Sequence, residues 1–322
     1  MSESLQTVRS LADRVRTQVN RVIVGKEDVI DRLLIALFSS GHVLLEDVPG
    51  TGKTLLAKAL AHSVGVDFKR IQFTPDLLPS DLSGIHFYNQ RTSEFEFRPG
   101  PLFTNLLLAD EINRATPRTQ SSLLECMEER QISIDGTTHR LRRPFLVIAT
   151  QNPVESQGTF PLPEAQLDRF LLKIRMGYPS HSEGLQILKR FRQDNPLEDM
   201  AGVASAEDIT EAQSFCAGVT AADDVLAYLL SIVEATREHG DVAVGVSPRG
   251  SQALLRASQV HAALRGRDFV TPDDIKALAL PVLAHRIVLK PGLRVRPQAA
   301  ESLVSRLLEE LPVPAEPSAS AR

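Results

Sequence analysis

EDVPGTGKT, residues 46–54, finishes as a phosphate-binding loop does, on Gly52-Lys53-Thr54. The pattern G-x-x-x-x-G-K-[ST] puts another glycine five residues before Gly52, and that position is Asp47. Such a loop turns consecutive backbone N–H groups into one concavity at a helix N-terminus. Gly50 and Gly52 give the chain the freedom to bend beside the phosphates. Position 47 is where a strand leaves its sheet, and a side chain is tolerated there if φ and ψ stay ordinary. An Asp47 carboxylate must face away from the phosphates, because like charges repel. Lys53 then supplies the cation for the β- and γ-phosphates and Thr54 the hydroxyl for Mg²⁺. Val48, Pro49, Thr51 and Leu55 complete the loop with the two glycines. The competing reading is a glycine-rich turn that happens to end in lysine.

The flanks favour the loop. HVLLED (42–47) is a short apolar run closed by a glycine turn, which reads as a buried strand, and TLLAKALAHSV (54–64) has helical spacing. Strand, glycine-rich turn and helix form the setting a phosphate loop needs. Farther out, 5–19 and 27–38 read as amphipathic helices. FKRIQF (68–73), TNLLLADE (104–111), FLVIATQN (145–152) and FLLKIRM (170–176) read as four more strands. A helix over 116–130 begins with Thr116 as N-cap and Pro117 in its first turn. Five strands interleaved with helices predict an α/β fold with a parallel sheet covered on both faces.

Two segments break the rhythm. Residues 84–100 alternate aromatic and polar side chains about a turn and read as a hairpin. Residues 131–142 read as a second, turning at Asp135-Gly136. After about residue 178 no further strand is read. Helical patterns run over 226–240, 247–266 and 271–287, the last with a capping-box variant at Thr271, Pro272 and Asp274 and a helix-kinking Pro281. The expected organisation is a core over 1–178, an all-helical domain over 179–311 and a Pro/Ala/Ser-rich disordered tail over 312–322. No internal repeat is present.

Composition bounds the function. The chain has 322 residues, a net charge of −4 and 43% hydrophobic residues, an ordinary globular balance. A dedicated nucleic-acid binder is more basic. Cys126 and Cys216 lie far apart, without C-x-x-C or Cys/His spacing, and read as buried thiols. The eight histidines show no ligand spacing. No run of about 18 apolar residues exists to span a membrane, and nothing at the N-terminus reads as a signal peptide. A cytoplasmic protein is expected.

Three further stretches join the loop. LLLADE (106–111) is an apolar strand ending in two acids; it delivers Asp110 to the Mg²⁺ side of the loop and Glu111 to the place of an attacking water. VIATQNP puts Asn152 at the tip of another buried strand, where an amide can hold the water or the γ-phosphate. Each is also compatible with a solvated turn when taken alone. Together the motifs resemble the AAA+ ATPases over nearly the whole chain. DVPGTGKT, ADEINRATPRTQSSLLECMEERQ, ATQNPVESQGTFPLPEAQLDRF and VSPRGSQALLRAS resemble more specifically the MoxR family. The resemblance implies Walker A at EDVPGTGKT, Walker B at LLLADE and sensor 1 at Asn152. It implies an arginine finger at Arg169, within LPEAQLDRF, reaching into a neighbouring subunit. It implies sensor 2 at Arg249, within SPRG, and an adenine pocket lined by Val24 and Gly25. The insert at 84–100 and the hairpin at 131–142 match inserts of that family. Two departures stand out: Asp47 in the loop, and Lys26 where many relatives have glutamine after Val-Gly.

The resemblance further implies hydrolysis of ATP with Mg²⁺, assembly into a ring, with a hexamer expected, and chaperone-like action in maturing or assembling protein complexes. It implies a partner with a von Willebrand factor type A domain. The two hairpins are the candidates for touching the client. Three alternatives stay open: a nucleic-acid motor using the small basic cluster His139, Arg140, Arg142 and Arg143, the motor subunit of a metal chelatase, and a scaffold that switches shape on binding ATP.

Overall fold

The computed structural model describes residues 3–153, 158–191, 196–293 and 298–314. Most of the expected tail, beyond Pro314, lies outside them. Ser10–Gln213 form one compact unit; Ser214 onward, with the residues up to Arg9, form the other.

In the first unit the strands are β1 (Val43–Glu46), β2 (Phe68–Gln72), β3 (Gly84–Asn89), β4 (Glu94–Pro99), β5 (Leu106–Asp110), β6 (Gln131–Ile134), β7 (Thr137–Arg140), β8 (Leu146–Gln151) and β9 (Leu172–Ile174). The helices are α1 (Glu3–Val22), whose first turns belong to the other unit, α2 (Glu27–Phe38), α3 (Lys53–Ser63), α4 (Pro79–Ser83), α5 (Pro117–Glu129), α6 (Glu164–Leu167), α7 (His181–Phe191) and α8 (Ala206–Ala217), whose last turn belongs to the other unit. The five strands read from the sequence form one sheet in the order β2-β5-β8-β1-β9, and every pairing is parallel.

The apolar runs explain the order. Every residue of β1 and β5 is buried, as is all of β8 but its last, as strands covered on both faces require. Leu44, Leu107, Ala109, Val147 and Ala149 share one packed cluster with Leu123, Leu124 and Met127 of α5. Their neighbours Val43, Leu45, Leu106, Leu108 and Ile148 point the other way along the pleat and are also buried. β2, with Lys69 and Arg70 among its five residues, is only partly covered and forms an edge.

His42, just ahead of β1, locks the sheet to α5. Its Nε2 donates to the Met127 carbonyl at 3.0 Å, and its Nδ1 accepts the Val147 N–H at 3.0 Å. Both ring nitrogens are used by a neutral imidazole. Burial, with Arg130 nearby, pushes its pKa down to about 3, against the opposing bond to Met127.

Both predicted hairpins form, as β3-β4 and β6-β7. Asp135 and Gly136 sit at φ 49° and 81°, the backbone of a type I′ turn. The hairpins dock on each other: His86 Nδ1 lies 2.8 Å from an Asp135 carboxylate oxygen, and Phe97 stacks on His139 at 4.9 Å between ring centroids. A single residue, Arg130 at φ 52°, joins α5 to β6.

The second unit carries α9 (Asp223–Glu238), α10 (Pro248–Leu264), α11 (Pro272–Leu283) and α12 (Ala299–Glu310). The capping box at Thr271 and Asp274 is present, and buried Asp274 also accepts from Arg267 and His261. Where no strand was expected, β10 (Val242–Val244) pairs antiparallel with β11 (Val288–Leu289). Runs of three and two residues are too short to show alternation in a sequence.

Candidate functional site

The sheet order brings the motifs together. β5, β8 and β1 are neighbours and parallel, so their carboxyl ends lie side by side. From β1 comes the glycine-rich loop, from β5 Asp110 and Glu111, and from β8 Asn152. Crevices at the carboxyl ends of such strands are where open α/β sheets bind ligands.

In the loop the positive φ angles fall on Gly50 (81°) and Gly52 (89°), and a Cβ built on either meets nothing within 4 Å. The concavity they face is open, as a phosphate cradle must be. Gly52 caps α3, whose first residues are Lys53 and Thr54. Lys53 Nζ donates to the carbonyls of Asp47 at 3.0 Å and Val48 at 2.8 Å, and Thr51 donates to the same Val48 carbonyl. Thr54 is half-buried and Leu55 exposed.

Asp47 answers the question its position raises. One carboxylate oxygen accepts the Val48 N–H at 2.9 Å. The other accepts the N–H groups of Met176 at 2.9 Å and Gly177 at 2.7 Å, just past β9. The carboxylate thus faces β9 rather than the loop concavity. Glu46 beside it is bound by Lys173 at 2.9 Å, Arg175 at 2.8 Å and Gln151 at 2.8 Å. Burial works against its charge, but the charge of Lys173 and the hydrogen bonds from Lys173, Arg175 and Gln151 outweigh burial and hold its pKa below the usual carboxyl value.

Asp110 and Glu111 are wired differently. Thr150, buried on β8, donates to one Asp110 oxygen at 2.6 Å and accepts the Glu111 N–H at 2.8 Å. Arg70 reaches the other Asp110 oxygen at 2.7 Å. The Glu111 carboxylate accepts from Gln72 at 2.7 Å and pairs with Arg114 at 3.0 Å. Glu111 sits at φ 55° and ψ 50°, a region that costs a non-glycine residue about 1–3 kcal/mol and recurs at functional sites. Thr150, Gln72 and Arg70 have no motif of their own. Their signal is the register that sets Gln72 opposite Asp110, which requires knowing the strand order.

Asn152 is buried directly beyond β8. Val24 is buried, and Gly25, at φ 67°, has the Glu183 carboxylate packed over it. Beside them a cavity of about 470 Å³ is lined by residues including Gly25, Lys26, Arg32, Arg175, Met176 and Glu183. Arg169 precedes β9 by a few residues, at the amino end of the sheet, and donates to the Leu124 carbonyl of α5 at 2.6 Å. Within one chain it does not join the loop. Arg249 stands in the first turn of α10, in the second unit, where Ser247 Oγ caps the helix by accepting the Gly250 N–H. Among the described residues, no three His, Cys, Asp or Glu side chains gather as metal ligands.

Comparison with known proteins accords with this arrangement. Residues 42–172 match the ATPase family associated with various cellular activities (AAA), and residues 234–307 match the AAA lid domain. Chaperone MoxR1 of Mycobacterium tuberculosis is 41% identical over 322 aligned residues, 97% of this chain and 85% of its own. The chain belongs to the MoxR family of AAA+ ATPases. Another relative, YeaC of Bacillus subtilis, is 51% identical across 98% of both chains. A solved structure from Cytophaga hutchinsonii superposes with a TM-score of 0.91 at 40% identity, covering 97% of this chain and 98% of that one. The MoxR-family chain carries its phosphate loop and the sheet strands β1, β2, β5 and β8 within the AAA match, which ends at the first residue of β9, and α10 to α11 within the lid match. No helix among the described residues is long and apolar enough to cross a membrane.

Proposed function

We propose that this chain hydrolyses ATP by in-line attack of water on the γ-phosphate, in an oligomer whose sites are finished between subunits. The observation that carries the reading is the meeting of the Lys53 loop, Asp110, Glu111 and Asn152 at the carboxyl ends of three adjoining strands. Glu111 orients the water and takes its proton, leaving ADP and phosphate. Val24 and Gly25, with the cavity beside them, take the base. The loop N–H groups from Val48 to Leu55 hold the phosphates. Lys53 and Asn152, with Arg249 and a neighbour's Arg169, neutralise charge on the phosphoryl oxygens. Thr54 and Asp110 fit Mg²⁺, which takes one or two protein oxygens beside phosphates and waters; when bound it offsets the phosphate charge.

The position of Arg169 at the end of the sheet away from the loop supports a finger given in trans, and with it a ring, hexameric by family resemblance. Chaperone-like maturation of protein complexes, in the cytoplasm and beside a von Willebrand factor type A partner, rests on the same resemblance. Tyr88 and Phe95, in ring contact and 52% and 73% exposed, support the first hairpin as a client contact. The nucleic-acid motor loses ground because its basic cluster is divided. His139 is stacked on Phe97, and Arg142 is paired with Asp67 at 2.8 Å.

The test is ATP turnover with Mg²⁺ as a function of protein concentration. A specific rate that climbs with concentration is expected. Absence of both turnover and nucleotide binding overturns the proposal; tight binding without turnover favours the switching scaffold.

A further inference from the structure

Three segments far apart in sequence meet at one place beside the phosphate loop. The Asp47 carboxylate accepts three backbone N–H groups: Val48 of the loop, and Met176 and Gly177 of the chain leaving β9. Hydrogen bonds to an ionised carboxylate are about twice as strong as neutral ones. Gly177, at φ 65°, supplies the bend that lets two consecutive N–H groups converge on one oxygen. From the other side, Lys26 Nζ donates to the carbonyls of Met176 at 2.7 Å and Tyr178 at 3.3 Å. Residues 176–178 are therefore gripped twice, by the first residue of the phosphate loop and by the residue after Gly25. A few residues on, Glu183 of α7 accepts the Ser180 N–H at 2.6 Å and lies against Gly25.

The loop's own lysine completes the connection. Lys53 Nζ rests on the carbonyls of Asp47 and Val48, the same two residues whose side chain and N–H make the grip. Lys53 cannot keep both carbonyls and also serve the β- and γ-phosphates. When it turns to phosphate, the Asp47-Val48 segment loses its cation while its carboxylate still holds residues 176 and 177.

From this geometry we infer that Asp47 is a positioning residue that couples nucleotide in the phosphate loop to the chain leaving β9 at Met176–Tyr178, with Lys26 as the second jaw of the clamp. The inference rests on the ATP reading above. It gives the two departures of this sequence, Asp47 and Lys26, one purpose: both bind the segment 176–178 and meet at Met176. That chain continues into α7 and α8 and then to residues 214 onward, so the clamp lies on the covalent route from the sheet to the second unit.

The experiment is amide hydrogen exchange at residues 174–180 with and without a non-hydrolysable ATP analogue, on the full chain, beside an equilibrium titration of the same analogue. In the wild type, nucleotide changes exchange at Met176 and Gly177. In Asp47→Gly the analogue still binds within about threefold, because the general loop pattern has glycine there. Exchange at those two amides becomes at least about tenfold faster, by loss of charge-assisted bonds, and indifferent to nucleotide. Asp47→Asn, which keeps one acceptor oxygen, falls between and serves as the variant of least disturbance. The inference is overturned if Asp47→Gly and Asp47→Asn keep the wild-type nucleotide response, or if wild-type amides ignore a nucleotide that demonstrably binds. A wild type that binds no nucleotide overturns the ATP reading, and the inference with it.

Discussion

β1 runs out through Glu46 into Asp47 and β5 through Asp110 into Glu111, two acidic pairs at the ends of strands separated only by β8. All four carboxylates have partners, yet the kinds of partner differ. Asp47 is bound by three backbone N–H groups, and Glu46 by two cations from the neighbouring strand β9 and its exit. Such contacts are built into the fold. Asp110 and Glu111 are held chiefly by side chains: Thr150, Arg70, Gln72 and Arg114. Arg70 and Arg114 are 43% and 40% exposed, like Arg175 at 44% on Glu46, so these arginine contacts can exchange at small cost. The backbone grip on Asp47 and the contact of Lys173, 23% exposed, are less free to. The backbone of Glu111 is also held in a left-handed conformation that Glu46 and Asp47 do not share. An acid pair serves structure or chemistry according to whether its partners can let go.

This contrast can be broken by experiment. If the β5 pair waits for a neighbour to complete its site, Arg169→Ala lowers turnover by about 10³–10⁵-fold with ATP binding kept; near-normal turnover removes the finger. Glu111→Gln lowers turnover by about 10²–10⁴-fold with an unchanged denaturation midpoint. A loss under about tenfold would place Glu111 with the structural pair.

Glu46→Gln has the opposite signature. Stability falls by about 1–3 kcal/mol as Lys173 and Arg175 lose their carboxylate, read by urea denaturation. The pH dependence gives a second readout. Because the folded pKa of Glu46 is depressed below 4.5, its stabilisation is whole above that value and is lost as pH falls through the folded pKa. The substitution should therefore flatten the acid limb of the stability profile below about pH 4.5. His42 sharpens the same profile at milder pH. Between 6.5 and about 3 the unfolded chain binds a proton that the folded chain refuses. Stability then falls by about 1.4 kcal/mol for each unit of decreasing pH in that window, and His42→Gln should remove that slope. An unchanged slope would show that His42 titrates as it does in water.

What the sequence disclosed follows from range. β1, β5, β8 and β9 were legible as mainly apolar runs bounded by turns, β2 less plainly because it carries Lys69, Arg70 and Gln72, and the second hairpin because Asp-Gly marks its turn. The loop, the β5 acids and Asn152 were legible as local patterns at strand ends. The anchor of Asp47 was not, since its partners lie 129 and 130 residues away. Thr150 and Gln72 were hidden for the same reason: their importance lies in strand register. α7, α8 and α12 lie outside the helical patterns read from the sequence, and α7 leaves Leu185, Ile187 and Leu188 exposed.

The single-residue joint between α5 and β6 has a mechanical consequence. The two hairpins are fastened by His86–Asp135 and Phe97–His139, so a load at either tip is borne by both. That load enters α5 through Arg130, with no slack linker to absorb it. The same helix offers the Leu124 carbonyl that Arg169 grips. Tip, helix and arginine thus form a short lever, with its fulcrum at Arg130.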